Sequence, residues 1–175
     1  MSVITKPGDD EYLAYYGTYI GRVPECDLVE TLQQQIDATR AVLGNVPESR
    51  AGFRYAEGKW SIREVVGHLT DVERVMGFRL LWAARADTTS LPGFDENLWV
   101  PASGADRRTL AELTAEFVAV RGASIALLAG VPDEGWVRRI QANGHPISAR
   151  ALAYIIAGHE RHHMETLRLR YAVGA

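Results

Sequence analysis

The sequence predicts an all-α protein, an antiparallel four-helix bundle, on three observations. Apolar residues recur with helical period in four long segments. Helix-start signatures open these segments and Gly or Pro follows them. Strands do not alternate with helices anywhere in the 175 residues. That length suits a single domain spanning 1–175, long enough to bury a core without disulfide or metal staples.

Taken in order, residues through Pro24 read as a non-helical N-terminal arm wrapping the bundle. The first helix is expected over 28–44, where Leu28, Leu32, Ile36, Thr39 and Leu43 share a face and Pro47 lies beyond Gly44. The second, 61–86, opens with "WSIRE", in which Ser61 and Glu64 match a capping box. The third, 109–130, repeats that signature in "TLAE" and carries Leu113, Phe117, Val120, Ser124 and Leu127 inward. The fourth runs over 148–171. Between the second and third lies "DTTSLPGFDENLWVPASGADRR", a long loop with one short helical turn expected around Glu96–Trp99. Before the fourth, "WVRRIQANGHPIS" predicts a small hairpin turning at Asn143-Gly144.

Composition narrows the class of function. Hydrophobic residues make up 47% and charged residues 23%, which suits a globular chain rather than a disordered one. A net charge of −3 and a pI near 6.0 provide no basic footprint, so nucleic acid is not an expected partner. No apolar run reaches the roughly 20 residues of a membrane span, and "MSVITKPGDDEY" has no hydrophobic export core. The lone Cys26 cannot form an internal disulfide, which suits a reducing compartment. The expectation is a cytoplasmic domain with no membrane partner.

The chemistry concentrates in "GHERHHMETLRLR", residues 158–170, which holds three of the five histidines. Residues four apart on a helix differ by about 40°, so His159 and His163 share a face. They continue the stripe of Leu152, Ile155 and Ile156 toward Leu167, so they point inward. His162 falls about 60° to one side, at the edge of the stripe. On the second helix His68 lies between Val65 and Val72, again on the inward stripe. Two readings of these three residues stand at this point. They are core histidines whose ring nitrogens bond carbonyls or water, or they are three nitrogen donors for a divalent transition metal with positions left open. His145, beside Pro146 in the hairpin, reads as a surface residue.

"HERHH" also satisfies H-E-x-x-H, the helix signature of zinc peptidases. No histidine follows His163 to act as a third ligand, and Glu165 points off its face, so the peptidase reading fails. Glu160 is the catalytic candidate, as a proton acceptor near a metal, with a solvated helix residue as the simpler account. Arg121 interrupts the inward face of the third helix and is the candidate for an anionic substrate or cofactor group, unless it snorkels to solvent. Asp71, one turn from His68, reads either as a group orienting that ring or as a surface carboxylate. Trp60, Trp82, Trp99 and Trp136 read as core or rim, and Asn143 and Gly144 as a plain turn that could edge a pocket.

Four stretches carry a resemblance to a known family: "DEYLAYYGTYIGRVP", "RYAEGKWSIREVVGHLTDVER", "LPGFDENLWV" and "LAYIIAGHERHHMETLRLRY". Together they resemble the DinB/YfiT-like superfamily of four-helix-bundle metalloproteins, often labelled candidate metal-dependent hydrolases. The resemblance places the family's metal histidines on His68, His159 and His163. It implies one divalent transition metal, zinc or nickel before iron or cobalt, and a small-molecule substrate. Characterised relatives include transferases of low-molecular-weight bacterial thiols and a mycothiol-dependent isomerase, so the activity first expected is transfer of such a thiol to an electrophile through a metal-bound thiolate. Hydrolysis by metal-activated water is the alternative, and a non-catalytic, metal-dependent stress-response binding module is a third. A homodimer is also expected, from the resemblance and from the tryptophan-rich loop and hairpin.

Overall fold

A computed structural model describes residues 4–174 of the chain. Four long helices form the bundle: α2 (Leu28–Gly44), α3 (Ile62–Ala84), α5 (Leu110–Ala129) and α6 (Ala149–Tyr171). Two short helices, α1 (Gly17–Ile20) and α4 (Glu96–Ala102), precede α2 and α5, and a two-stranded hairpin, β1 (Arg139–Ala142) and β2 (His145–Ser148), precedes α6. The long helices begin where their caps dictate. Asp27, Ser61, Thr109 and Ser148 each accept from a backbone N–H three residues on, and Glu64 and Glu112 complete reciprocal boxes. At the hairpin tip Asn143 and Gly144 both adopt positive φ, 53° and 76°, which suits the tight reversal of an Asn-Gly turn.

The antiparallel contacts are α3 with α6 and α2 with α5. The Tyr171 hydroxyl at the end of α6 donates to the Trp60 carbonyl before α3 (2.7 Å), and Leu110 N–H at the start of α5 donates to Glu48 just after α2 (3.1 Å). Neighbours α2 and α6 run parallel, as Gln35 bonds the Ala157 carbonyl and Thr39 bonds Glu160. So do α3 and α5, where Gly67 meets Ala105 in the turn that leads into α5 and Gly77 meets Ser124 within it. A 23-residue α3 is about 34 Å long, and a parallel successor must start back at its beginning. Residues 85–109 make that return along the bundle, which explains a connection so long.

The N-terminal arm departs from expectation. Rather than non-helical, it winds through single 3-10 turns at Asp9–Glu11 and Ala14–Tyr16 and then α1. Turns of three or four residues leave no periodicity to read. The arm lies close against α6 at Gly158, where an added Cβ would stand 2.1 Å from the Tyr19 carbonyl oxygen, so only glycine fits there.

Two apolar clusters fill the bundle. One gathers Val72, Met76, Leu80, Leu152, Ile155 and Ile156; the other gathers Ile62, Val65, Val66, Leu110, Leu113 and Leu167. A buried polar belt separates them, built from Thr39, His68, Glu73, Arg121, His159 and Glu160. Buried polar groups persist only where they find partners or perform a function. Among the described residues no helix is long and apolar enough to cross a membrane.

Candidate metal centre

One half of the belt is made of imidazoles. His68 from α3 and His159 from α6 are buried, and their Nε2 atoms stand 3.2 Å apart. His163, one turn further along α6, places its ring centroid 4.9 Å from His68 and 4.5 Å from His159. One donor nitrogen from each residue lies within 4.8 Å of the others. The crossing of α3 and α6 is what brings the helices together here, and the i,i+4 spacing does the rest.

Neighbouring rings fix the imidazoles. Trp60 lies against His68 with centroids 4.6 Å apart, and Tyr19 meets His159 edge-on at 5.2 Å. His162 also packs against Tyr19, at 5.5 Å, and stays outside the donor cluster. Burial, more than the neighbouring imidazoles, keeps His159 and His163 well below the usual histidine range and lowers His68 to about 4. Each imidazole therefore favours its neutral form, the form in which a ring nitrogen can ligate a metal.

This arrangement suits a divalent transition ion. Nitrogens about 2.0–2.1 Å from a tetrahedral zinc stand roughly 3.4 Å apart, close to the 3.2 Å between His68 and His159. Three neutral donors leave a coordination position for something other than protein. No carboxylate or cysteine joins the cluster among the described residues. Cys26 lies elsewhere, half-buried and receiving a bond from the Thr31 hydroxyl (3.2 Å).

The other two candidates are corrected by their surroundings. Arg121 is fully buried and does not snorkel to solvent; its charge is met within the chain. It makes a two-pronged contact with Glu73 (2.7 and 2.8 Å) and a third bond to Glu160 (2.5 Å). Glu160 is likewise buried, not solvated, and its other oxygen accepts from Thr39 (2.6 Å). Its carboxyl is spoken for as a structural partner rather than as a proton acceptor beside the histidines. Asp71 pairs with Arg74 at 3.4 Å, not with a histidine, and His145 is exposed as expected.

Beside the triad opens a cavity of about 470 Å³. Val72, Met76 and Ile155 form its floor, Tyr15, Tyr16, Tyr19 and Phe94 its walls, and Arg79, Glu96 and Asn143 bring polar groups. Asn143 therefore edges the pocket, whereas Gly144 does not. The sequence reading missed Tyr19 and Arg79. Tyr19 arrives on an aperiodic arm, though Gly158 marks its close approach. Arg79 continues the His68, Val72, Met76 stripe, a spacing that was available to read.

The histidine arrangement can be set beside known proteins. A protein of Oceanobacillus iheyensis named as a candidate metal-dependent hydrolase is 28% identical over 159 residues, covering 85% of this chain and 90% of its own. A Geobacillus thermodenitrificans protein of the same description is 28% identical over 82 residues, 47% of this chain, and only 45% of that relative's length is spanned. Among solved structures, YfiT from Bacillus subtilis superposes with a TM-score of 0.69 at 19% identity, covering 95% of this chain and 93% of YfiT. YfiT is described as a candidate metal-dependent hydrolase with an unusual four-helix bundle topology, and the likeness confirms the fold. A mycothiol-dependent maleylpyruvate isomerase superposes at 0.63 with 14% identity over 84% of this chain and 62% of its own. A family model covers residues 31–167, which include His68, His159 and His163, and by that match the chain belongs to the DinB superfamily.

Proposed function

We propose that this protein is a metal-dependent enzyme in which His68, His159 and His163 hold one divalent ion, zinc or nickel, at the edge of a small-molecule cavity. The observation carrying this reading is the convergence of three buried, neutral imidazoles from two helices on a common point. When bound, the ion supplies a Lewis acid that lowers the pKa of a thiol or a water.

The favoured reaction is transfer of a low-molecular-weight thiol to an electrophile. A thiol starts near pKa 8.5 and needs little help to ionise, whereas water needs a much larger shift and gains from a nearby base. Glu160 cannot serve as that base while Arg121 and Thr39 hold its oxygens. Glu96, the carboxylate lining the cavity, stands near Tyr19, whose hydroxyl bonds Tyr15 (3.0 Å) and is kept protonated chiefly by burial. Tyr16, Phe94, Val72 and Ile155 exclude water from a bound substrate and raise the strength of every polar contact within. Hydrolysis is the second reading, supported by the names of the relatives.

The test pairs zinc- or nickel-loaded protein with a fluorogenic bimane electrophile and a series of bacterial thiols, alongside nitrophenyl esters without thiol. Thiol-dependent turnover that disappears in His159→Ala supports the first reading. Thiol-independent ester cleavage would replace it with hydrolysis, and metal binding without either activity would reduce the protein to a binding module. The expected homodimer belongs to the same reading, with exposed Phe78, Leu98 and Trp99 as its apolar contacts, and light scattering at micromolar concentration tests it.

A further inference from the structure

We propose that Arg79 anchors a carboxylate on the substrate, at the end of the cavity away from the histidines. The inference rests on reading that cavity as the substrate site.

Arg79 is 3% exposed and makes no ion pair among the described residues. It bonds the Pro92 carbonyl, which accepts from Nη2 (2.8 Å), and lies over the Phe94 ring, whose centroid is 5.7 Å from the guanidinium carbon. A guanidinium has five N–H donors and remains charged at any physiological pH. Leaving such a charge out of water without an anion is costly, and structures accept that cost where a ligand supplies the partner. The bundle contains the opposite case for comparison: Arg121, equally buried, has two glutamates.

The position of Arg79 is also fixed in advance. Pro92 is held because Leu91 N–H donates to the Gln141 carbonyl (2.9 Å) and Asn143 N–H donates to the Leu91 carbonyl (3.0 Å). The hairpin thus pins the loop that orients the guanidinium. Arg79 also walls an outer groove, but the charges there, Asp71 and Arg74, pair with each other. Within the cavity Glu96 acts on Tyr19, and no ion pair within 4.0 Å joins it to Arg79 among the described residues. Arg79 lies 11 residues beyond His68 on α3, about 16 Å along the axis, and helical side chains lean back toward the N-terminus. A substrate spanning both must therefore carry its carboxylate several bonds from the reacting atom. A planar guanidinium suits a carboxylate through paired hydrogen bonds, and the aromatic wall suits an apolar spacer.

Phenylbutyrate and its neutral amide, phenylbutyramide, are the probes, titrated by NMR into metal-free and zinc-loaded protein. The acid should bind roughly tenfold more tightly than the amide in both forms, the worth of a charge-assisted contact. Arg79→Met should abolish that preference while zinc stoichiometry and thermal midpoint stay close to wild type, and Arg79→Lys should keep part of it. If Arg79→Met unfolds, Arg79→Lys decides, because a lysine keeps the charge but loses the paired geometry and should weaken the preference. Equal binding of acid and amide, absence of binding at millimolar concentration, or a preference unchanged in the variants would each overturn the proposal. An acid preference seen only with zinc would place the carboxylate at the histidines and overturn it too. Failure of wild-type protein to bind zinc would count against the metal reading alone, since the metal-free titration stands apart from it.

Discussion

Arg121 and His159 lie in the same buried belt, yet their neighbours differ in kind. Around Arg121 every polar group has a partner of opposite character: Glu73 and Glu160 take its N–H groups, Thr39 caps Glu160, and Gln35 adds a longer contact at 3.3 Å. Around His159 the nearest groups are two more imidazoles and the ring of Tyr19, and the contact between its Nε2 and that of His68 (3.2 Å) brings no opposite charge to the cluster. One half of the belt is complete as it stands. The other brings three ring nitrogens together with no opposite charge among them, which is where the proposed ion would sit. Two clusters of similar burial thus differ in whether opposite charges close within the chain, and that difference is what supports reading one as structural and proposing the other as functional.

The comparison breaks most visibly at the histidines. His159→Ala or His163→Ala should lower zinc affinity by more than about a hundredfold, beyond what loss of a ligand's hydrogen-bonding neighbour costs. His162→Ala should leave roughly one zinc per chain, since that ring lies outside the donor cluster. Elemental analysis after dialysis reads both outcomes. Zinc retained by His163→Ala but lost from His162→Ala would show that the wrong face of α6 has been assigned.

At Arg121 the expected loss is of stability rather than metal. Arg121→Met strands two carboxylates in the core and should cost about 3–5 kcal/mol, seen in a urea titration. Replacing Arg121, Glu73 and Glu160 together by Met removes all three charges and should recover more than half of that loss. Zinc stoichiometry of the folded protein should stay near one in both variants. If the triple variant lost its zinc, the two halves of the belt would be one functional unit.

The same contrast explains what could be read from the chain. The inward direction of His68, His159 and His163 was legible because they sit on apolar stripes and an i,i+4 pair announces a shared face, whereas their reading as metal ligands leaned on the family resemblance. Helix limits were legible because Ser61, Thr109 and Ser148 cap by purely local chemistry. Glu160 was not, because α6 is buried at every position from Ala151 to Glu160, with α2, α3 and the arm around it. A helix covered on all sides has no solvent face to which a charge can be assigned. Arg79 is covered in part by Pro92 and Phe94 of a loop that the distant hairpin pins. Tyr19 reaches the histidines through a backbone contact at Gly158 that no periodicity foretells.

The smallest effect sharpens the comparison by adding an ion pair that water can reach. Glu11 of the arm binds Arg150 of α6, with Arg150 Nε donating at 2.7 Å and the Arg150 side chain still 21% exposed. Burial alone would raise the Glu11 carboxyl, but its bonds to Arg150, the Gly8 N–H and Ser148 outweigh that and hold it at about 2, against an ordinary 4.5. A depressed carboxyl contributes stability in full above pH 4.5 and loses it as pH falls through about 2. Glu11→Gln should therefore cost about 1–2 kcal/mol at neutral pH, with solvent screening keeping it below the Arg121 effect. Urea midpoints of wild type and Glu11→Gln should stay a constant distance apart from pH 7 to 5, then converge as the solution becomes more acidic. A gap that persisted undiminished to about pH 2 would mean that Glu11 holds the arm by packing, with its charge playing no part.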